Sequence, residues 1–317
     1  MKNVAGIVLG LIALFGSSRA WATDDTPWTD ETTPVVIDAY ELNIIDWDKL
    51  TTDKRIAGFI SKASDGLPEV YDCRRKHSGD SFAQCKTMWR KYAVSRELFQ
   101  TRRILAKAKG LLWGAYHLGR PGNPIDQANH FLDYATPGAD EMMVLDIESL
   151  DSKQYMSLDD AETFATHIKT RTGRYPVLYT NNDTARYIAA HRDEYRLLSR
   201  LPLWYARYRP EIKGVFPMGN WDNYLLWQFS SGINCNDRDC PMRIDGTLDD
   251  IDVNTVPLKR EALAKSWPQG QLLPEKPPAL QYLVSVHGAV GTSTPFWVAA
   301  RAVYTHRTIK PLETALN

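Results

Sequence analysis

The sequence predicts an α/β fold, a single irregular (β/α) TIM-like barrel with a short C-terminal extension. Three observations predict it. Eight short apolar, β-branched or aromatic runs recur between residues 35 and 253. Helical patterns lie between several of them, the alternation that builds βα units. No G-x-G-x-x-G follows any run, which weighs against the rival, an open doubly wound sheet.

The elements come in order. Lys2 precedes an uncharged apolar stretch over residues 4–16, followed by Ser17, Ser18, Arg19 and then Ala20-Trp21-Ala22. A basic start, a short apolar core and an Ala-x-Ala end describe a secretory signal peptide cleaved near Ala22. The stretch is short for a membrane span, so an uncleaved anchor is the lesser reading. The expected division is a signal peptide over 1–22, a linker over 23–33 and the barrel over 34–262. A Pro-containing linker and an extension of no assigned role then fill 263–317. Export implies a periplasmic or secreted protein with no membrane partner after cleavage.

The strand candidates are residues 35–38, 56–62, 111–117, 142–148, 175–180, 203–206, 224–229 and 251–253. A helix is expected over 99–109, rich in Leu, Ala, Lys and Arg and stopped by Gly110. Another is expected over 126–134. A third is capped by Ser157, carries Phe164, Ala165 and Ile168 on one face, and stops near Gly173. The four cysteines form two sequence-local pairs. In an oxidising compartment the simplest connectivity, one of three, is Cys73–Cys85 and Cys235–Cys240. Zinc is the competing reading, but neither pair has the short C-x2-C form. The stretch from Pro68 to Ser95, with a basic cluster at Arg74, Arg75 and Lys76, reads as an enlarged disulfide-tied loop.

Charge narrows the function. Lys and Arg number 38, Asp and Glu 38, for a formal net charge of zero. Phosphate binding leaves a basic footprint, so no nucleic-acid partner is expected. At 44% hydrophobic the chain is not of disordered type. Ten Trp and 15 Tyr suit sugar faces and also suit cores.

Polar residues stand at or near the ends of the apolar runs: Asp38, Lys62, Tyr116, His117, Asp146, Glu148, Tyr179, Trp227, Gln228 and Asp252. In a βα barrel the C-terminal strand ends build the active-site mouth, so these residues converge there. The sharpest signal is Met142-Met143-Val144-Leu145-Asp146-Ile147-Glu148. On a strand, i and i+2 share a face with Cα atoms roughly 6.6 Å apart. Two such carboxylates repel, and the less solvated one keeps its proton to higher pH. That suits a general acid with a partner. Two acids leaving a strand into solvent is the bland alternative. Asp38, Asp146, Glu148 and Asp252 as an oxygen-rich cation site ranks lower. No metal or cofactor is expected. No H-E-x-x-H, G-x-S-x-G or G-x-x-x-x-G-K-[ST] occurs.

These pieces resemble glycoside hydrolase family 25, the lysozyme-type muramidases. "VIDAYELNIIDWDKL", "GFISKASDG", "GLLWGAYH", "MVLDIESL", "GRYPVLYTN", "LPLWYARY", "YLLWQFSSG" and "DIDVNTV" match in family order. The resemblance implies hydrolysis of the β-1,4 bond between N-acetylmuramic acid and N-acetylglucosamine in peptidoglycan; a monomer is expected. It implies Glu148 as general acid, Asp146 beside it orienting the N-acetyl group or handling water, and Asp38 and Asp252 completing an acidic floor. Tyr116, His117, Tyr179, Trp204, Tyr208, Trp227 and Gln228 become candidates for holding substrate. Net retention with the acetamide as nucleophile is the expected route. Two departures stand out: D-A-Y on the first strand, and Asp65 where relatives commonly carry Glu. A non-catalytic glycan-binding barrel and a chitinase remain alternatives. The second lacks the further Asp residues common in chitinases, having Glu141 and Val144 there.

Overall fold

The computed structural model describes residues 26–68, 80–248 and 251–277. The expected signal peptide, Cys73, the Arg74–Lys76 cluster and the residues beyond 277 lie outside the described residues. Eight strands close into a barrel in sequence order. They are β1 (Val35–Ala39), β2 (Ile56–Asp65), β3 (Leu112–Leu118), β4 (Met142–Ile147), β5 (Val177–Asn181), β6 (Leu203–Ala206), β7 (Leu226–Ser230) and β8 (Asp252–Thr255). Each overlaps one of the eight expected runs. The helices are α1 (Trp47–Leu50), α2 (Asp80–Ala108), α3 (Pro124–Ala135), α4 (Leu158–Thr172), α5 (Asn182–Ala190) and α6 (Arg260–Ser266).

Strands β1 to β7 run parallel to their neighbours. Strand β8 is antiparallel to both β7 and β1. Among the described residues no helix lies in either the β6–β7 or the β7–β8 connection, yet β7 runs parallel to β6 while β8 reverses. The reversal puts the start of β8, not its end, at the mouth, where Asp252 sits opposite Asp38.

Strand alternation divides the core in two. Val36, Ile60, Met142, Val144, Val177, Trp204 and Leu226 fill the barrel interior. Ile37, Phe59, Met143, Leu145, Leu178, Tyr205 and Phe229 belong to the outer core, with helix residues such as Phe131, Phe164 and Ile188. Ser157 caps α4, its Oγ accepting from Asp160 N, and Gly173 ends the helix at φ 76°, a left-handed turn that suits glycine.

Three expectations need correction. The enlarged loop continues α2 from Asp80 rather than 99, because residues 80–98 lack Gly and Pro and are rich in helix formers. Trp89 and Val94 are exposed there, so no clean apolar stripe betrays the helix. Second, part of the supposed N-terminal linker packs on the barrel: Trp28 is buried and stacks on Phe229 with ring centroids 3.9 Å apart. It covers β7 where no helix does. Third, the compact unit does not stop at 262 but reaches Lys276. Trp267 follows α6, is fully buried, and donates its indole N–H to Trp113 O at 2.7 Å. Its ring lies where a Cβ on Gly58 would meet it at 3.0 Å, so the glycine makes room for it.

Cys235 and Cys240 form a disulfide. Cys85 is also disulfide-bonded, and its expected partner Cys73 lies outside the described residues. Among the described residues no helix is long and apolar enough to cross a membrane.

Candidate active site

The inward positions at the mouth carry polar side chains. Asp38 is buried and accepts from Asn254 Nδ2 at 2.7 Å and Gln228 Nε2 at 3.2 Å. Gln228 in turn accepts from Tyr179 OH at 2.8 Å and Tyr208 OH at 2.6 Å on its Oε1. Asn254 accepts from Trp204 Nε1 at 2.5 Å. Five strands, β1, β5, β6, β7 and β8, are thereby tied together around one carboxylate. Burial pushes Asp38 up to about 6, against the lowering from its amide partners and Asp252.

Asp146 and Glu148 stand at the head of β4 in different environments. Asp146 is buried, and its Oδ1 has no hydrogen-bond partner. Burial holds its carboxyl well above the usual range, reinforced by Glu148, Asp38 and Asp65. The Asp146 carboxyl is therefore biased toward its protonated form. Glu148, just past the strand, is exposed, and its Oε2 accepts from Tyr155 OH at 2.9 Å. Asn181 donates to the Glu148 backbone carbonyl. Burial and the neighbouring acids also raise the Tyr116 and Tyr179 phenols well above their ordinary value. The mouth thus pairs a buried acid, its pKa raised, with a solvent-facing one, ringed by phenols.

The family model for glycosyl hydrolases family 25 matches residues 74–238, just over half of the chain. The chain belongs to this family. It is accordingly a glycoside hydrolase. Among solved structures, a family 25 lysozyme from Aspergillus fumigatus shares 19% identity over 75% of this chain and 100% of that one, with a TM-score of 0.51. A muramidase from Acremonium alcalophilum shares 21% identity over 73% and 97%, with a TM-score of 0.49. The bacterial lysozyme from Streptomyces coelicolor shares 20% over 74% and 96%, with a TM-score of 0.48. The Aspergillus likeness shows the shared barrel fold. A search of curated proteins finds no match.

In this family 25 barrel, Asp38, Tyr116, Asp146, Tyr179, Gln228 and Asp252 come together at the mouth, with Glu148 and Tyr208 at its rim. Three candidates for holding substrate do not join them. His117 and Trp227 sit next to Tyr116 and Gln228 on their strands, and only one of two adjacent strand residues can face the interior. His117 points outward and is fully buried against Phe164. Its Nε2 donates to Gln127 Oε1 at 3.0 Å, leaving Nδ1 to accept from Ser64 at 2.8 Å. Burial lowers its imidazole to about 4, so it stays neutral. Trp227 is buried in the outer core and donates to Arg207 O at 2.7 Å. Trp204 does face inward, but it is buried below the mouth and props Asn254. None of these three offers a ring face to a sugar.

Other residues of the mouth are absent from the sequence reading. Asn254, two residues beyond Asp252, was findable as a polar side chain on the inward parity of a strand. Tyr155 and Arg120 come from loops, where no periodicity points. Arg120 pairs with Asp65 at 2.5 and 3.0 Å and lies over the Tyr155 ring. The departure at Asp65 thus holds an arginine beside the tyrosine that contacts Glu148.

Proposed function

We propose that the protein is an exported muramidase that cuts the β-1,4 bond between N-acetylmuramic acid and N-acetylglucosamine in peptidoglycan. The observation that carries this is the asymmetric pair at the head of β4, a buried acid with an unpartnered oxygen beside an exposed one. Glu148 is the general acid. In the free enzyme the buried Asp146 carboxyl favours its protonated form. A sugar ring laid over Glu148 strips its water and draws the proton to it. Glu148 then protonates the leaving oxygen while the acetamide oxygen attacks the anomeric carbon. Asp146, having released its proton, accepts from the acetamide N–H and stabilises the cyclic intermediate. Water opens that intermediate with Glu148 as base, giving net retention. Asp38 and Asp252 set the negative field of the floor, and Tyr116, Tyr179 and Tyr208 position the sugar.

The signal-peptide pattern and the two expected disulfides support action outside the cytoplasm, in the periplasm or beyond the cell. The test is digestion of purified peptidoglycan by the mature protein, followed by mass spectrometry of the muropeptides. New reducing ends on N-acetylmuramic acid are expected, and the Glu148→Gln protein should produce them about a thousandfold more slowly. Reducing ends on N-acetylglucosamine would sink the bond assignment, and near wild-type activity in the Gln variant would sink the role of Glu148.

A further inference from the structure

Beside the carboxylate pair lies a second cavity of about 250 Å³, between the start of α5 and the segment after β6. Asn181, Asn182, Asp183, Arg207, Tyr208 and Arg209 line it. It shares two walls with the mouth. Asn181 donates to the Glu148 carbonyl, and Tyr208 donates to the glutamine that holds Asp38.

Its cations are unspent. Arg207 Nε is buried with no hydrogen-bond partner. Among the described residues the Arg209 guanidinium makes no hydrogen bond or ion pair. Arg186, within the first turns of α5, adds a third positive charge in electrostatic reach of Tyr205, as do Arg207 and Arg209. The acid in the cavity, Asp183, accepts from Asn182 Nδ2 at 2.7 Å. The α5 N-terminus is not what attracts charge, because Asn181 Oδ1 already takes the Asp183 and Thr184 N–H groups. Elsewhere in the protein, buried or half-buried arginines are engaged: Arg102 with Tyr40 and Asn43 carbonyls, Arg103 with Glu141, Arg174 with three carbonyls. The Arg207 Nε is closed to solvent, so an anion in the cavity would meet the terminal guanidinium nitrogens of Arg207 and Arg209, which make no hydrogen bond among the described residues.

We infer that this cavity is an anion subsite that receives a carboxylate carried by the glycan next to the scissile bond. The inference rests on the muramidase reading and deepens it. A guanidinium fork matches a carboxylate in shape and charge. N-acetylglucosamine has no ionised group. N-acetylmuramic acid differs from it by a lactyl ether whose carboxyl is either free or amide-linked to a peptide bearing further carboxylates. The subsite therefore tells the two sugars apart, and it sets which side of the bond each one occupies.

The test compares three substrates: intact peptidoglycan, strands stripped of peptide by an amidase, and stripped strands whose carboxyls are converted to methylamides. The wild type is expected to show a KM about tenfold lower on stripped strands than on methylamidated ones, the scale of one charge-assisted contact. Arg207→Gln and Arg209→Gln should each raise KM on the carboxylate strands by several-fold to tenfold at little cost in kcat, and should not raise it on methylamidated ones. A KM effect on intact wall but not on stripped strands assigns the peptide's carboxylate rather than the lactyl group to the same subsite. Equal KM for wild type and both variants on every substrate overturns the inference, as does an equal rise on methylamidated strands. Should Arg207→Gln fail to fold, exposed Arg209 carries the test alone. Should the wild type cut none of the three, the muramidase reading fails, and calorimetric titration with N-acetylmuramic acid against N-acetylglucosamine still decides the subsite: no preference for the acid overturns it.

Discussion

Strand β4 has a carboxylate at each end, and the two live differently. Glu141 precedes the strand at the barrel's foot, and Asp146 sits near its head. Both are almost entirely buried, at 2% and 5% exposure. Glu141 is saturated: Arg103 grips both its oxygens at 2.8 Å, Lys107 Nζ donates at 2.9 Å and Gly138 N at 2.9 Å. Asp146 has a buried oxygen with nothing to bond and acids for neighbours. Burial alone does not distinguish a structural carboxylate from a chemically poised one. What distinguishes them is whether the fold supplies counter-charges or withholds them.

The comparison can be broken in four ways, taken from the largest effect down. Glu148→Gln should lower kcat by about a thousandfold, the scale of a lost general acid, while the melting temperature holds. Glycan turnover and thermal unfolding together check this. Glu141→Gln should do the reverse. Removing one member of a buried ion network costs about 3 kcal/mol, so chemical denaturation should show a large loss while kcat per folded molecule stays. A kcat loss matching that of Glu148→Gln would erase the distinction between foot and head. Replacing both Cys235 and Cys240 with Ser should cost about 2 kcal/mol, since the closed loop is short, and denaturant midpoints will show it.

The smallest effect sharpens the comparison through pH. Asp146 has a folded pKa raised above its unfolded value. Below the unfolded value both states are protonated and the group is neutral to stability. As pH rises from there toward the folded pKa, the unfolded chain loses the proton first, so folded stability falls. Asp146→Asn removes that loss. It should match wild-type stability near pH 3.5 and melt a few degrees higher at pH 7.5, with impaired activity. A lower melting temperature at pH 7.5 would mean that Asp146 is structural after all.

Much of this was legible in sequence because the relevant physics is local. Apolar runs marked all eight strands, and the D-x-E spacing placed two acids on one face. What was not legible is what depends on neighbours brought from afar. The direction of β8 leaves no trace in a four-residue strand. Trp204 and Trp227 looked alike as rings near strand ends, yet one props the interior and the other packs outside. Parity could have separated Trp227 from Gln228, but depth within the barrel could not be read for Trp204. The first half of α2 hid because an exposed helix needs no apolar stripe.

The reversed final strand has a consequence for anyone who wishes to recombine this scaffold. At the head of β4, Asp146 belongs to the strand and Glu148 follows it directly, so exchanging the segment from Ser149 onward leaves both in place. Asp252 stands downstream of its loop, at the point where the chain re-enters the barrel. A graft between β7 and β8 changes the approach to a residue of the acidic floor itself. Library builders should vary that junction last, and anchor it through the Asp38–Asp252 pairing.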